Sequence, residues 1–358
     1  MELYAFGSNS SGQLGTGHAR DISTPAKCIF ETDTTSEPLL FRGIVASGSS
    51  TLVLLENGQI YRAGAYFGLQ SLQINPEATY STSFQLLPLT GDRRAKSCSA
   101  TWEAVIVATE GDEVFACGRG LKGELGLGTK TSTAHEPLSL SSFPPKGCTI
   151  VDLRSNVSHT VVVLSSGEVY GWGNGRKGQL GEPTGIIWSP RRIEGLRFKV
   201  KRAVCGRDFT FFVGESGCSE FQIIGSDKWG AISMGPSILN DWHNIGASWG
   251  SIFVQTQAGA ITSWGRNDRG QLASADLLRI LSMAIGSEHG IARNEDSRII
   301  CWGWGEHGNC GIVSEETGDS SGQWINTDQA LLAESEVAGV GAGCATSFFW
   351  VKSRYVVG

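Results

Sequence analysis

No CxxC pair occurs among the nine cysteines of this chain. An odd count, with thiols inside apolar runs such as EVFACG around Cys117, points to reduced, buried cysteines of a cytosolic protein rather than a disulfide framework. Basic residues are also short, 29 Lys and Arg against 35 Asp and Glu, and no basic tail is present. Proteins that wrap nucleic acid need cations to displace phosphate counterions, so no direct nucleic-acid binding is expected. No run approaches the ~18 apolar residues of a membrane span, and MELYAFGSNSSG lacks a basic segment followed by an apolar one. These features predict a soluble protein of the cytoplasm, with the nucleus as a second compartment, and no membrane contact. Proline is sparse, at 10 residues, while glycine reaches 48 of 358, about 13% of the chain against a usual ~7%. With 40% apolar residues neither collagen nor disorder fits, and so much glycine implies many tight turns.

Those turns recur. VYGWGNGRKGQLG, from Val169, returns as LYAFGSNSSGQLG from Leu3, VFACGRGLKGELG from Val114, ITSWGRNDRGQLA from Ile261 and IICWGWGEHGNCG from Ile299. Weaker copies are IYRAGAYFG from Ile60 and FQIIGSDKWG from Phe221. A glycine ends each short strand, at Gly7, Gly64, Gly118, Gly173, Gly225, Gly265 and Gly303. Six copies are preceded by an apolar run and a turn, such as TLVLLENGQIY with Asn57-Gly58, which is the pattern of a β-hairpin. The copy at Leu3 has no strand before it, and the unpartnered run CATSFFWVKSRYVV stands at the other end. Pairing the two would complete one blade and close the ring, removing free sheet edges. The expectation is therefore an all-β fold, a single seven-bladed β-propeller over residues 1–358, closed by pairing of the N- and C-terminal strands in one blade.

The repeated Tyr-x-Trp-Gly-x-Gly-x-x-Gly-Gln-Leu-Gly phrase resembles the repeat of the regulator of chromosome condensation family, across essentially the whole chain. GWGEHGNCG, Gly303 to Gly311, looks most like the killer-toxin-insensitivity propellers of fungi. That resemblance implies a non-enzymatic propeller forming a heterodimer with a small CSL-type zinc-finger protein that holds iron and passes electrons. The pair would serve diphthamide biosynthesis and Elongator-dependent modification of tRNA wobble uridines, with Elongator as a further partner. The alternative within the family is guanine-nucleotide exchange on a Ran-like GTPase, which would need a basic tail or a protruding wedge.

Chemistry of the chain's own is not announced. GxSxG, HExxH and paired-carboxylate phrases are missing, and GNGRKG at Gly173 precedes no helix, so it is a repeat element rather than a phosphate cradle. Cys301, His307 and Cys310 fall short of a closed tetrahedral site. No catalytic residue, cofactor or metal is therefore assigned. Trp172, Trp264 and Trp302 read as filler between blades, and His159 and His289 as strand-end hydrogen-bonding residues in one repeat column with Ser50, Glu103, Phe209 and Ser251. Departures from the repeat are more informative. Trp229, Trp249, Glu288, His289, Glu306 and His307 are expected to share one propeller face, because the start of one hairpin strand and the end of the next lie together. Trp242, Trp304 and Asn309 are their expected neighbours in a partner-binding surface.

Overall fold

The computed structural model describes residues 1–31, 38–65, 79–239, 241–277, 279–312, 319–324 and 335–353. Every regular element among them is a β-strand, and none is a helix long and apolar enough to cross a membrane. The strands make seven sheets, the blades of a seven-bladed β-propeller.

Blade 1 joins the two ends of the chain. Its β1 (Glu2–Gly7) and β2 (Ile22–Lys27) come from the N-terminus. Blade 2 holds β3 (Phe41–Ala46), β4 (Ser50–Leu55), β5 (Ile60–Ala65) and β6 (Tyr80–Leu87). Blade 3 holds β7 (Ala95–Ala100), β8 (Ala104–Thr109), β9 (Val114–Arg119) and β10 (Thr133–Ser139). Blade 4 holds β11 (Ile150–Asn156), β12 (His159–Leu164), β13 (Val169–Asn174) and β14 (Ile186–Arg192). Blade 5 has only three strands, β15 (Arg202–Cys205), β16 (Phe209–Val213) and β17 (Phe221–Gly225). Blade 6 likewise has β18 (Trp242–Ala247), β19 (Ser251–Thr256) and β20 (Ile261–Gly265). Blade 7 holds β21 (Ile280–Ile285), β22 (His289–Asn294), β23 (Ile299–Trp304) and β24 (Asp319–Trp324). The chain then returns to blade 1 with β25 (Ser335–Ala342) and β26 (Thr346–Ser353). The order in that sheet is β2-β1-β26-β25, with Leu3 opposite Trp350 and Tyr4 opposite Phe349. The expected closure by the two termini is therefore present, and residues 354–358 of the terminal run lie outside the described residues.

Second strands read STLVLL, AVIVAT and HTVVVL, and all eighteen of these residues are buried. Neighbouring blades within a unit cover one another's faces, so the alternation of a half-buried strand gives way to a continuous apolar run. The cores lie between adjacent blades, for example Ile106, Val162 and Trp172 for blades 3 and 4. Gly173 ends β13 at φ +102°, and a Cβ there would lie 2.3 Å from the Ser158 carbonyl oxygen, so glycine is required. In the following loop the Gln side chain folds back on its own turn: Gln179 Oε1 accepts from Lys177 N at 2.9 Å, and Gln271 Oε1 from Arg269 N at 2.8 Å. Leu180 is thereby delivered into the core.

The described strands fall into two compact units. One contains Met1–Ala65, Tyr80–Leu87 and the chain from Phe253 onward, and the other runs from Pro88 to Ile252.

Candidate functional site

In the unit from Pro88 to Ile252, four inner turns lie at one end of the blades. Each joins the first strand of a blade to the second. Thr101 opens one turn and Ser248 another, and their hydroxyls accept the amides of Ala104 (3.2 Å) and Ser251 (3.0 Å). Such side-chain caps fix the next residue outward. That next residue is Trp102 in blade 3 and Trp249 in blade 6. Neighbouring turns are tied circumferentially: Trp102 N donates to Val157 O at 2.7 Å, and Arg207 N to Trp249 O at 3.0 Å. The two indoles meet with centroids 5.8 Å apart, tilted by 39°, and the Arg207 guanidinium lies 5.6 Å from the Trp249 centroid. Trp102 keeps 40% of its surface exposed and Trp249 is half-buried. An aromatic pair of this type adds about 0.5–1.5 kcal/mol beyond area burial, while leaving apolar surface for a partner.

Trp229 lies at the same end, four residues past Gly225, where β17 finishes and Ser226 N bonds Asp208 O at 2.8 Å. Its ring is 40% exposed, with Lys228 Nζ 4.9 Å from its centroid. The loop is braced by Asp227, whose Oδ1 accepts Ile232 N at 2.7 Å and Ser233 N at 3.1 Å. These backbone donors hold the Asp227 carboxyl below its usual range. Trp242 is a correction to the expected surface. It starts β18, whose other end runs into the Ser248–Gly250 turn, and its carbonyl accepts Ser216 Oγ at 2.8 Å from the β16–β17 turn. Antiparallel geometry thus puts Trp242 at the opposite end from Trp229 and Trp249.

Three further residues of the expected surface belong to the other unit and are buried there. Glu288, 4% exposed, accepts Arg266 Nη1 at 2.8 Å and Gln271 Nε2 at 3.0 Å, and burial pushes its carboxyl up. His289 Nε2 lies 3.0 Å from Ser347 Oγ, which donates its one hydrogen to Asn309 O at 2.7 Å. The histidine must therefore be the donor to Ser347, a neutral Nε2–H tautomer, and burial lowers its pKa to about 4. Asn309 donates to Trp304 O at 2.9 Å. Glu288 thus braces the Arg266–Gln271 loop, while Asn309 and, through Ser347, His289 brace the loop after β23, so their side chains are withdrawn from the surface. Trp304 (half-buried, with Arg269 5.6 Å from its centroid), Glu306 and His307 (3.0 Å from Asp21) do reach the surface.

His159 repeats the His289 device on Thr210 and Gln179 O, at 3.1 and 2.7 Å, and burial lowers its pKa to about 3. Its strand partner is Gly173, and the residue pairing the equivalent Gly118 is Ala104. Ala104 rather than Glu103 thus stands in the histidine column. With that register corrected, Trp102, Arg207 and Trp249 all stand two residues before the second strand of their blades. Trp102 was missed by reading each departure singly, and a shared column with Trp249 is the signal that finds it. As for metals, Cys301 and Cys310 are buried, and burial pushes the Cys301 thiol up. Among the described residues no group of three or more His, Cys, Asp or Glu could hold an ion.

Comparison with known sequences matches the regulator of chromosome condensation (RCC1) repeat at residues 150–179 and 166–213. An RCC1 repeat-containing protein of Schizosaccharomyces pombe is 27% identical over 320 residues, covering 86% of this chain and 88% of that one. The mouse secretion-regulating guanine nucleotide exchange factor is 24% identical over 401 residues, covering 95% of this chain and 82% of its own. Among solved structures, Prp20p from Saccharomyces cerevisiae superposes with TM-score 0.82 at 19% identity, covering 99% of this chain and 92% of that one. Human WBSCR16 gives 0.79 at 18% identity, covering 99% and 100%.

Proposed function

The chain belongs to the regulator of chromosome condensation (RCC1) repeat family, and from that premise we propose that it is a protein-binding propeller with no chemistry of its own. It takes its partner at the blade end that carries Trp102, Arg207, Trp229 and Trp249. One observation carries the reading: Trp102 and Trp249 pack ring on ring while Trp102 stays 40% exposed. Aromatic anchors held rigid before binding lose little entropy on association and dominate interface energies. Arg207 and Lys228, each beside an indole, suit an acidic partner surface, and charge around an aromatic centre chiefly raises association rate and specificity.

The partner proposed is a small CSL-type zinc-finger protein, bound as a heterodimer that supports diphthamide biosynthesis and Elongator-dependent wobble-uridine modification. The similarity of Gly303 to Gly311 to killer-toxin-insensitivity propellers supports this partner. Calorimetric titration of the propeller with such a protein is the test. Binding is expected, and Trp229→Ala or Trp249→Ala should weaken it by about 2 kcal/mol, roughly thirtyfold. No heat of binding would overturn the partner. Unchanged affinity in both variants would overturn the surface.

The mouse exchange factor, aligned over 95% of this chain, favours a second reading, nucleotide exchange on a small GTPase. Release of labelled GDP from a Ran-like GTPase, followed with and without the propeller, separates the two. Many-fold acceleration would establish exchange in place of simple docking.

A further inference from the structure

Blade 5 lacks the fourth strand that blades 1, 3 and 4 possess. The register of β16 on β17 decides which backbone groups that leaves open. Ser226 N bonds Asp208 O and Gly214 N bonds Glu220 O, both at 2.8 Å, so residues 220, 222, 224 and 226 face β16. Phe221, Ile223 and Gly225 face outward. Among the described residues nothing bonds their outward amides and carbonyls. The equivalent carbonyls of blades 1, 3 and 4 are occupied: Leu3 O accepts Cys28 N, Val114 O accepts Leu140 N and Val169 O accepts Ile193 N, each at 2.8 Å. From Ser226 to Leu239 the chain does not pair onto β17, and it exposes Met234 (62%) and Ile238 (61%) as it goes.

A charge is left open at the same edge. In blade 1 the residue before Leu3 is Glu2, and it meets Lys27 of the fourth strand at 2.5 Å. In blade 4 the residue before Val169 is Glu168, and it meets Arg192 of the fourth strand at 3.1 Å. In both, the basic residue directly precedes the one that bonds the third strand's first carbonyl, and a proline, Pro25 or Pro190, stands two residues earlier. Proline suits an outer strand because its missing N–H would point to solvent. In blade 5 the corresponding acid is Glu220, exposed and without an ion pair among the described residues.

We propose that the outer edge of β17 takes up an extended, basic segment of a partner protein as a fourth, antiparallel strand, with a lysine or arginine meeting Glu220. Strand addition draws affinity from main-chain bonds and register from alternate side chains. The next residue of the segment donates its amide to Phe221 O, as Cys28 and Ile193 do in their blades. This edge is separate from the tryptophan end, and the inference stands whichever partner docks there.

The chain's own blade-4 strand supplies the probe: a dye-labelled peptide of residues 186–193, IIWSPRRI, titrated into the intact protein by fluorescence anisotropy. Saturable binding is expected, weakened about fivefold by Glu220→Lys, the scale of an exposed ion pair. The peptide carrying Arg192→Glu should bind the Glu220→Lys protein better than the unaltered peptide does. Amide exchange by NMR should slow at Phe221, Ile223 and Gly225 but stay constant at Gln222 and Ile224. No saturable binding, indifference to Glu220→Lys, or protection confined to other blades would each overturn the proposal.

Discussion

Blades 4 and 5 lie side by side in sequence and in one compact unit, yet only blade 4 keeps the repeat. Its β13 carries Trp172, fully buried, with Nε1 donating to Glu124 O at 3.0 Å. Blade 5 places Ile224 at that point of β17, and none of the five β17 residues is fully buried. Leu180 of blade 4 is 1% exposed, whereas Ile232, seven residues past the strand-ending glycine as Leu180 is, is 40% exposed. The third strand of blade 4 is closed by β14, and that of blade 5 is left as an edge. Conserved spacing thus builds core, and loss of the phrase turns apolar side chains and backbone outward. The fold can accommodate this because each blade packs mainly on its neighbours.

Substitution at matched positions should sharpen the contrast most. Leu180→Ala should cost about 2–5 kcal/mol by removing a fully buried side chain. Ile232→Ala should cost less, about 1 kcal/mol, as a partly exposed position does. Urea unfolding of both variants measures the difference, and equal losses would mean that the two loops are packed alike. A smaller contrast lies in the histidine column, where blade 4 has His159 and blade 5 has Phe209. The folded pKa of His159 is lowered to about 3 and that of His289 to about 4, below the ordinary ~6.5 of an unfolded chain. The unfolded state therefore binds more protons between those values. Stability contributed by the neutral histidines is complete above about pH 6.5 and declines as pH falls, by about 2 kcal/mol per histidine at pH 5. Melting temperature should fall from pH 7.5 to 5, and His159→Gln should flatten the slope. An unchanged slope would mean that this imidazole titrates freely in the folded protein.

Much of the fold was legible because its signals are local and repeated. Seven glycine-ended strands, hairpin turns and the complementary termini specify blade number and closure, and β1 lies between β2 and β26 as expected. The intervals of 40 and 38 residues between Gly225, Gly265 and Gly303, against 52 to 57 earlier, already record the absent outer strands of blades 5 and 6. The candidate site was legible only in part. Trp229 and Trp249 stand at the blade end where hairpin geometry put them, but Trp242 is one strand length away. Glu288, His289 and Asn309 are polar residues drawn inward by hydrogen bonds to neighbouring strands and loops, a tertiary effect that no single repeat displays. Trp102 escaped because a one-residue shift in the column hid its equivalence to Trp249.

The central claim is that tryptophans of two kinds are present, one kind holding blades together and the other offered to a partner. Trp172→Ala and Trp102→Ala, compared by thermal unfolding and by titration with the proposed zinc-finger partner, test it most directly. The prediction is that Trp172→Ala loses about 3–5 kcal/mol of stability. Trp102→Ala should lose clearly less, about 1–2 kcal/mol, yet bind roughly tenfold or more weakly. A Trp102→Ala protein that is as destabilised as Trp172→Ala, or that binds as tightly as the parent, would contradict it.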